Sequence, residues 1–377
     1  MPCVSGDSGP SGSHPKERET RHSGSLPNLR DEDVQDWQGR MTSNVNRQIT
    51  LAERPVGHPT QSDFRLVESS APQPGEGEVL IRAVWLSLDP YQRGRMRGGV
   101  SYAAALELGE VITGGVVGRV IESRTPAFNV GDIVEGPLGW QDYALSDGRN
   151  LRKVDTTMGP LSTALGVLGM PGMTAYFGLL DVGQPKPGDT VVISAASGAV
   201  GQVVGQIAKI MGCRAVGIAG SQEKIDYIVD ELGFDAGINY KTENLDTALA
   251  TACPLGVDLY FDNVGGVVTD AVLEQINTFA RIVICGQISQ YNLEEPEPGP
   301  RNMRLLTINQ ARMEGFLVFQ FAPRHEEGRQ RIVGWIKDGK MKYREDVVEG
   351  LENAPRAFMG LMQGQNFGKL LIRVSDE

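Results

Sequence analysis

The chain has 377 residues, 40% hydrophobic and 22% charged, with 36 Lys and Arg against 47 Asp and Glu, a formal charge of -11. That length exceeds one ordinary core, so two domains are expected, and the composition suits a folded globular protein rather than a disordered or fibrous one. The acidic balance argues against a nucleic-acid binder, whose phosphate contacts need a clustered basic face. The four cysteines (Cys3, Cys213, Cys253, Cys285) and four histidines (His14, His22, His58, His325) form no CxxC or ligand-spaced metal motif.

Residues 1–40 are polar, without apolar periodicity, and are expected to be disordered. They hold no apolar h-region, and Asp31, Glu32, Asp33 and Asp36 argue against a transit peptide. Met41 is therefore a candidate start. Residues 44–165 read as β-rich, with strands over 79–88, 114–122 and 132–135 separated by punctuation such as Pro74-Gly75 and Val130-Gly131-Asp132. Residues 156–180 and 190–208 are uncharged, but glycines and prolines break the first and a strand–loop–helix pattern divides the second, so no membrane span is expected. With nothing demanding disulfides, the cytoplasm is the simplest compartment.

From residue 170 the rhythm becomes strand then helix. Residues 190–195 (TVVISA) predict a buried strand; Val200, Val203, Val204, Ile207, Ala208 and Met211 then recur at helical spacing, and Gly212 sits where a helix ends. A strand over 215–219 leads to a helix near 222–232 that stops at Gly233. Further strands over 257–262 and 281–285 flank a helical stretch around 267–277. Such alternation implies right-handed βαβ units and a parallel sheet, an α/β fold. Mixed helix and strand return from about residue 321.

Ala195 to Gly201 (AASGAVG) is a GxGxxG variant with Ala196 in place of the first glycine. Gly198 would let backbone approach a pyrophosphate, Gly201 would let the helix pack on the strand, and the helix N-terminus would offer N–H groups to phosphate. An NAD site usually carries an acid about 20 residues further on. Here Ala219-Gly220-Ser221 stands instead, followed by Lys224 and Tyr240-Lys241, which favours the 2′-phosphate of NADP(H).

Beyond this loop, the runs SLDPYQRGRM (87–96), GMPGMTAY (169–176), FDNVGG (261–266), CGQISQYN (285–292) and GQNFGK (364–369) complete a set of signposts. Together they resemble the zinc-independent medium-chain dehydrogenase/reductases, in the branch of leukotriene B4 12-hydroxydehydrogenase and the prostaglandin reductases. The look is nearest to bacterial NADPH-dependent curcumin reductase and plant alkenal double-bond reductases, from about residue 48 to 374. The resemblance implies a GroES-like β domain (41–165) completed by a C-terminal segment (321–377), with a Rossmann NADP-binding domain (166–320) between. It implies pyrophosphate contacts from Gly198, Ala199, Val200 and Gly201, and 2′-phosphate contacts from Lys224 and Tyr240. Asn263, Cys285, Gly286, Gln287, Ile288, Ser289, Gln290, Tyr291, Phe316, Leu317, Val318 and Asn366 would line the nicotinamide side.

The implied reaction is NADPH-dependent reduction of the carbon–carbon double bond of α,β-unsaturated ketones or aldehydes, without a metal. It needs hydride at the β carbon, a proton at the α carbon and a fixed donor to the carbonyl oxygen. The family points to Tyr291 as that donor. Tyr91 is an alternative donor or a pocket wall, and the cofactor's ribose hydroxyl is a further one. Tyr176 reads as packing. Cys285 lacks a histidine partner and reads as a backbone contact rather than a nucleophile. Trp85, Trp140, Phe316, Phe319 and Phe321 are as consistent with core as with substrate contact, and the loop 294–300 (EEPEPGP) is either a solvated connection or a substrate-side lid. Rival readings are a quinone reductase on the same scaffold and a nucleotide-binding protein without catalysis. The expected partners are a small conjugated carbonyl compound and a second copy of the chain, with no nucleic acid and no membrane.

Overall fold

The protein is seen in a computed structural model that describes residues 45–99 and 101–377, all within one unit, Asn44–Glu377. The expectations for residues 1–40 and for Met41 lie outside the described residues.

The first third builds antiparallel sheet. β1 (Val45–Leu51) and β2 (Phe64–Ser70) pair with each other, while β3 (Val79–Ser87), buried along nearly its whole length, pairs with β4 (Val116–Ser123). The sheet continues through β5 (Ile133–Gly136), β6 (Tyr143–Ser146), which adds to β3, and β7 (Arg152–Lys153). Its core is aromatic: Trp140, fully buried, stacks on Phe64 at 5.9 Å and meets Phe358 edge-on at 5.7 Å. Trp140 is thus a core residue.

The middle of the chain builds a parallel sheet from β8 (Thr190–Ser194), β9 (Arg214–Ala219), β10 (Ala236–Asn239), β11 (Val257–Asp262), β12 (Ile276–Ile284) and β13 (Arg312–Gly315), in the order β10-β9-β8-β11-β12-β13. Every residue of β8 is buried because helices cover both faces, the usual reason for an unbroken apolar run. Its side chains alternate. Val191 and Ile193 join Val203, Val204 and Ile207 of the helix Gly201–Ile210, and Val192 joins Val216, Ile218 and Tyr260 on the other face. The helix ends as its sequence indicates, with Gly212 at φ 80° donating to Lys209 O.

The chain then returns to the first sheet. β14 (Glu345–Glu349) pairs with β15 (Lys369–Arg373), and β15 lies antiparallel to β3. Two expectations shift in detail. β12 starts at Ile276, inside the stretch expected as helix, because Ile276 pairs with Val257 of β11 and long-range ladder bonds outweigh local helix preference. The helix expected near 222–232 divides into an α segment, Gln222–Asp226, and a wider π turn, Tyr227–Glu231.

Candidate active site

The strand order reverses between β8 and β11, and in such sheets ligands bind beyond the carboxyl ends of the strands at that point. β8 leads into a turn whose positive φ falls on Ala195 (49°), one residue before the alanine that replaces the first glycine. At Gly201 a Cβ would lie 2.3 Å from Ala195 O and 2.7 Å from Ala196 Cα, so only glycine lets the helix start this close to the strand. No side chain caps that helix N-terminus. The loop is also tied to the far end of the chain, where Gly368 N donates to Ser197 O at 3.1 Å, and Asn366 Nδ2 in turn donates to Gly368 O.

Beyond β9 and β10, Ser221 accepts from Lys224 N, and Lys224 Nζ donates to Gly364 O at 2.7 Å. A Cβ on Gly220 would stand 3.1 Å from the Tyr240 ring and 3.2 Å from Lys241 Cε. Burial, and next the Lys241 charge, pull the Lys224 ammonium below its ordinary value. Two mutually repelling cations beside a phenol and a hydroxyl, with no acid at residues 219–221, suit a phosphate.

The other side of the crevice is a set of linked strand ends. Asn263 donates from its main-chain N to Ser194 Oγ and from Nδ2 to Ser194 O, both at 2.8 Å, joining β11 to β8. Cys285 N and Gly286 N donate to Asp262 O, Ile288 N to Asn263 O and Ser289 N to Val264 O, so the loop after β12 lies along the end of β11. That loop carries Tyr291, whose hydroxyl accepts from Gln287 N at 3.3 Å and whose ring packs on the core of the first sheet. Next to it, Asn292 Oδ1 accepts from the buried Arg93 Nε at 3.0 Å, and Arg97 donates to Leu293 O and Glu294 O. The helix Tyr91–Met96 thereby holds the loop bearing Tyr291.

Burial raises the Tyr291 phenol above its ordinary value. Tyr91 is raised strongly, by burial and then by the Asp89 charge. Burial and then Asp262 push the Cys285 thiol up to about 12, so it stays protonated and is no nucleophile. Tyr102, 60% exposed, has its phenol raised by burial and then by the Tyr291 phenol, a long-range effect that the sequence does not show. A lone tyrosine in a glycine- and alanine-rich stretch carries no local signal of this. Lys369, the last residue of the GQNFGK run, has a role that the sequence did not show: it donates to Asp89 Oδ1 at 2.6 Å and to Leu88 O, and the Asp89 carboxylate accepts from Ser87 Oγ.

Some expected residues stand apart. The Phe316 ring faces Phe261 and the Cα of Gly178, so its side chain is core, as is Val318, whereas Leu317 is exposed. Tyr176 is buried, with its hydroxyl on Glu327 Oε1, and packs as expected. Phe321 stacks on Phe177, and Phe319 is exposed.

Known proteins resemble this chain in both sequence and fold. Residues 47–154 match a family described as the N-terminal domain of oxidoreductase, and residues 199–337 one described as zinc-binding dehydrogenase. The NADPH-dependent curcumin reductase of Escherichia coli is 48% identical over 88% of this chain and 98% of its own length. The crystal structure of CurA from Vibrio vulnificus in complex with NADPH is 50% identical, covers 88% of this chain and 100% of its own, and superposes with a TM-score of 0.85. The chain belongs to the zinc-independent medium-chain dehydrogenase/reductases. The NADP(+)-dependent 2-alkenal reductase of Nicotiana tabacum, 45% identical over 88% of this chain and 98% of its own, lies in the same branch. As a member of that family, the chain joins a parallel Rossmann-like sheet to a β-rich GroES-like domain. The zinc in the second family description has no counterpart in side chains: among the described residues, no group of three or more His, Cys, Asp or Glu is placed to hold a metal.

Proposed function

We propose that this chain uses NADPH to reduce the carbon–carbon double bond of α,β-unsaturated ketones and aldehydes. The carrying observation is a half-buried phenol, Tyr291, raised above its ordinary value and held at the same crevice as a glycine loop with a two-lysine pocket. The relatives support the substrate class, since a curcumin reductase and a 2-alkenal reductase match over nearly their full lengths.

The loop fits the cofactor: the Gly201 cradle has no room for a Cβ, and Lys224, Tyr240 and Lys241 surround the place where a 2′-phosphate would sit. Gly198 to Gly201 would hold the pyrophosphate, and Asn263, residues 285–291 and Asn366 the nicotinamide side, with the backbone of residues 316–318 as its outer wall. When bound, NADPH supplies the hydride for the β carbon. Tyr291 donates a hydrogen bond from Oη to the substrate carbonyl oxygen, which becomes enolate-like as hydride arrives; a fixed neutral donor lowers that barrier without a metal. Tyr91 shapes the pocket and is the second candidate donor.

We further assign residues 41–165 and 321–377 to the catalytic part and 166–320 to the nucleotide-binding part, and place the protein in the cytoplasm as a homodimer. Among the described residues no helix is long and apolar enough to cross a membrane. A dimer is supported by the open edge of β13, beside which Ile308, Leu317 and Phe319 are exposed.

The test is NADPH oxidation measured with an alkenal, a long enone and a benzoquinone. Faster turnover of the first two supports the proposal. Turnover of the quinone alone would make the chain a quinone reductase, and tight NADPH binding with no turnover would make it a non-catalytic nucleotide binder.

A further inference from the structure

The carboxylate of Asp262 takes no part in the scheme above, yet it lies beneath the strand ends that line the crevice. It is fully buried at the carboxyl end of β11, and none of the described ion pairs involves it. Its bonds come from neutral donors. Oδ1 accepts from Tyr260 Oη and from Val264 N and Gly265 N, each at 2.9 Å, and from Ser194 Oγ at 3.2 Å; Oδ2 accepts from Thr269 Oγ1 at 2.6 Å. The main-chain oxygen of the same residue accepts from Cys285 N and Gly286 N, which open the loop to Tyr291.

An uncompensated buried charge is expensive, and hub geometry alone does not require one. Asparagine would serve the same donors. Its Oδ1 would keep all four bonds, its Nδ2 would replace Oδ2, and the Thr269 hydroxyl would turn to accept, with Tyr260 Oη at 3.3 Å free to receive its proton. What asparagine would lack is the charge. That charge belongs to the residue whose main-chain oxygen fixes Cys285 N and Gly286 N at the crevice, and it adds to burial in raising the Cys285 thiol.

We propose that Asp262 is an electrostatic positioning residue that favours the oxidised over the reduced nicotinamide at the ends of β11 and β12. This rests on the NADPH reading above. The reduced ring is neutral and the oxidised ring carries a positive charge. A fixed negative charge in a dry site therefore stabilises the state left after hydride, with its electron pair, has gone to the substrate's β carbon. The amide donors of Val264 and Gly265 offset part of this field, so the effect is moderate.

The experiment measures dissociation constants of NADP+ and NADPH at pH 8 by fluorescence, with melting temperatures, for the parent, Asp262→Asn and Tyr260→Phe. In Asp262→Asn the NADP+ constant should rise about 3- to 30-fold relative to that of NADPH, the range for one charge acting over roughly 8–25 Å at an effective dielectric of about 20. Tenfold is about 30 mV in a two-electron couple. Tyr260→Phe removes one donor and leaves the carboxylate in place, so its ratio should move the other way, about 2-fold; this variant decides the matter if the asparagine variant does not fold. Equal weakening of both nucleotides, with the ratio unchanged, would overturn the inference and leave Asp262 a structural hub. A ratio in Tyr260→Phe that moves toward NADPH would overturn it too. A parent chain that binds neither nucleotide would overturn the cofactor reading and this inference together.

Discussion

Tyr291 illustrates how one side chain acquires a role from its surroundings. Its hydroxyl is held by Gln287 N, and burial keeps the phenol protonated above its ordinary range. Tyr291→Phe removes the donor and keeps the ring's packing, so turnover on a good enone should fall roughly 10- to 1000-fold while NADPH affinity stays similar. Unchanged turnover, with a selective loss in Tyr91→Phe, would move the role to Tyr91. Because the donor is the neutral phenol and its value is raised, Tyr291 itself should impose no loss of turnover up to about pH 10, the ordinary phenol value; a pH profile of kcat in the parent checks the sign. Lys224 makes the matching case for the cofactor's far end. Lys224→Ala should raise the KM for NADPH by roughly 10-fold, the weight of one charge-assisted hydrogen bond, and leave NADH nearly unchanged. Equal use of NADPH and NADH by the parent would remove the basis for this prediction.

Among the elements, the buried pair Lys369–Asp89 joins β15 to the turn that follows β3, with side-chain exposures of 3% and 7%. Lys369→Ala would leave the Asp89 carboxylate without its cation, held only by the Ser87 hydroxyl, and should cost about 3–5 kcal/mol in denaturant unfolding. Asp89→Ala added to Lys369→Ala should recover part of that loss, whereas strictly additive losses would show that the two do not act as a pair. The same region shows what local pattern can and cannot reveal. β8, the glycine loop and the helix Gly201–Ile210 were legible because buried-strand runs, helical spacing and glycine placement are local signals. Neither Lys369 nor Tyr102 was found from its neighbours in sequence. Lys369 matters because Asp89, 280 residues away, is buried beside it, and Tyr102 because Tyr291 lies within its field. The start of β12 was misplaced for the same reason, since its first rung is set by Val257 on another strand.

For the whole molecule, the open edge of β13 is the feature that calls for a partner. Exposed Ile308, Leu317 and Phe319, near the one open side of β13, are the apolar surface that the proposed dimer would cover. Light scattering should give twice the mass of one chain, and a monomer at micromolar concentration would refute the dimer.

The sequence by itself determined the α/β class, the dinucleotide loop, the preference for a phosphorylated cofactor and, through spaced motifs, the family. Each of these is written in short segments whose periodicity or composition is sufficient. Only the tertiary structure decided which side chains meet. It placed Tyr291 on the core of the first sheet, returned the C-terminal β15 to β3, tied the loop of Tyr291 to Arg93 through Asn292, and isolated the Asp262 charge among five neutral donors. Burial and electrostatic reach belong to distances in space, and residues far apart in the chain set them.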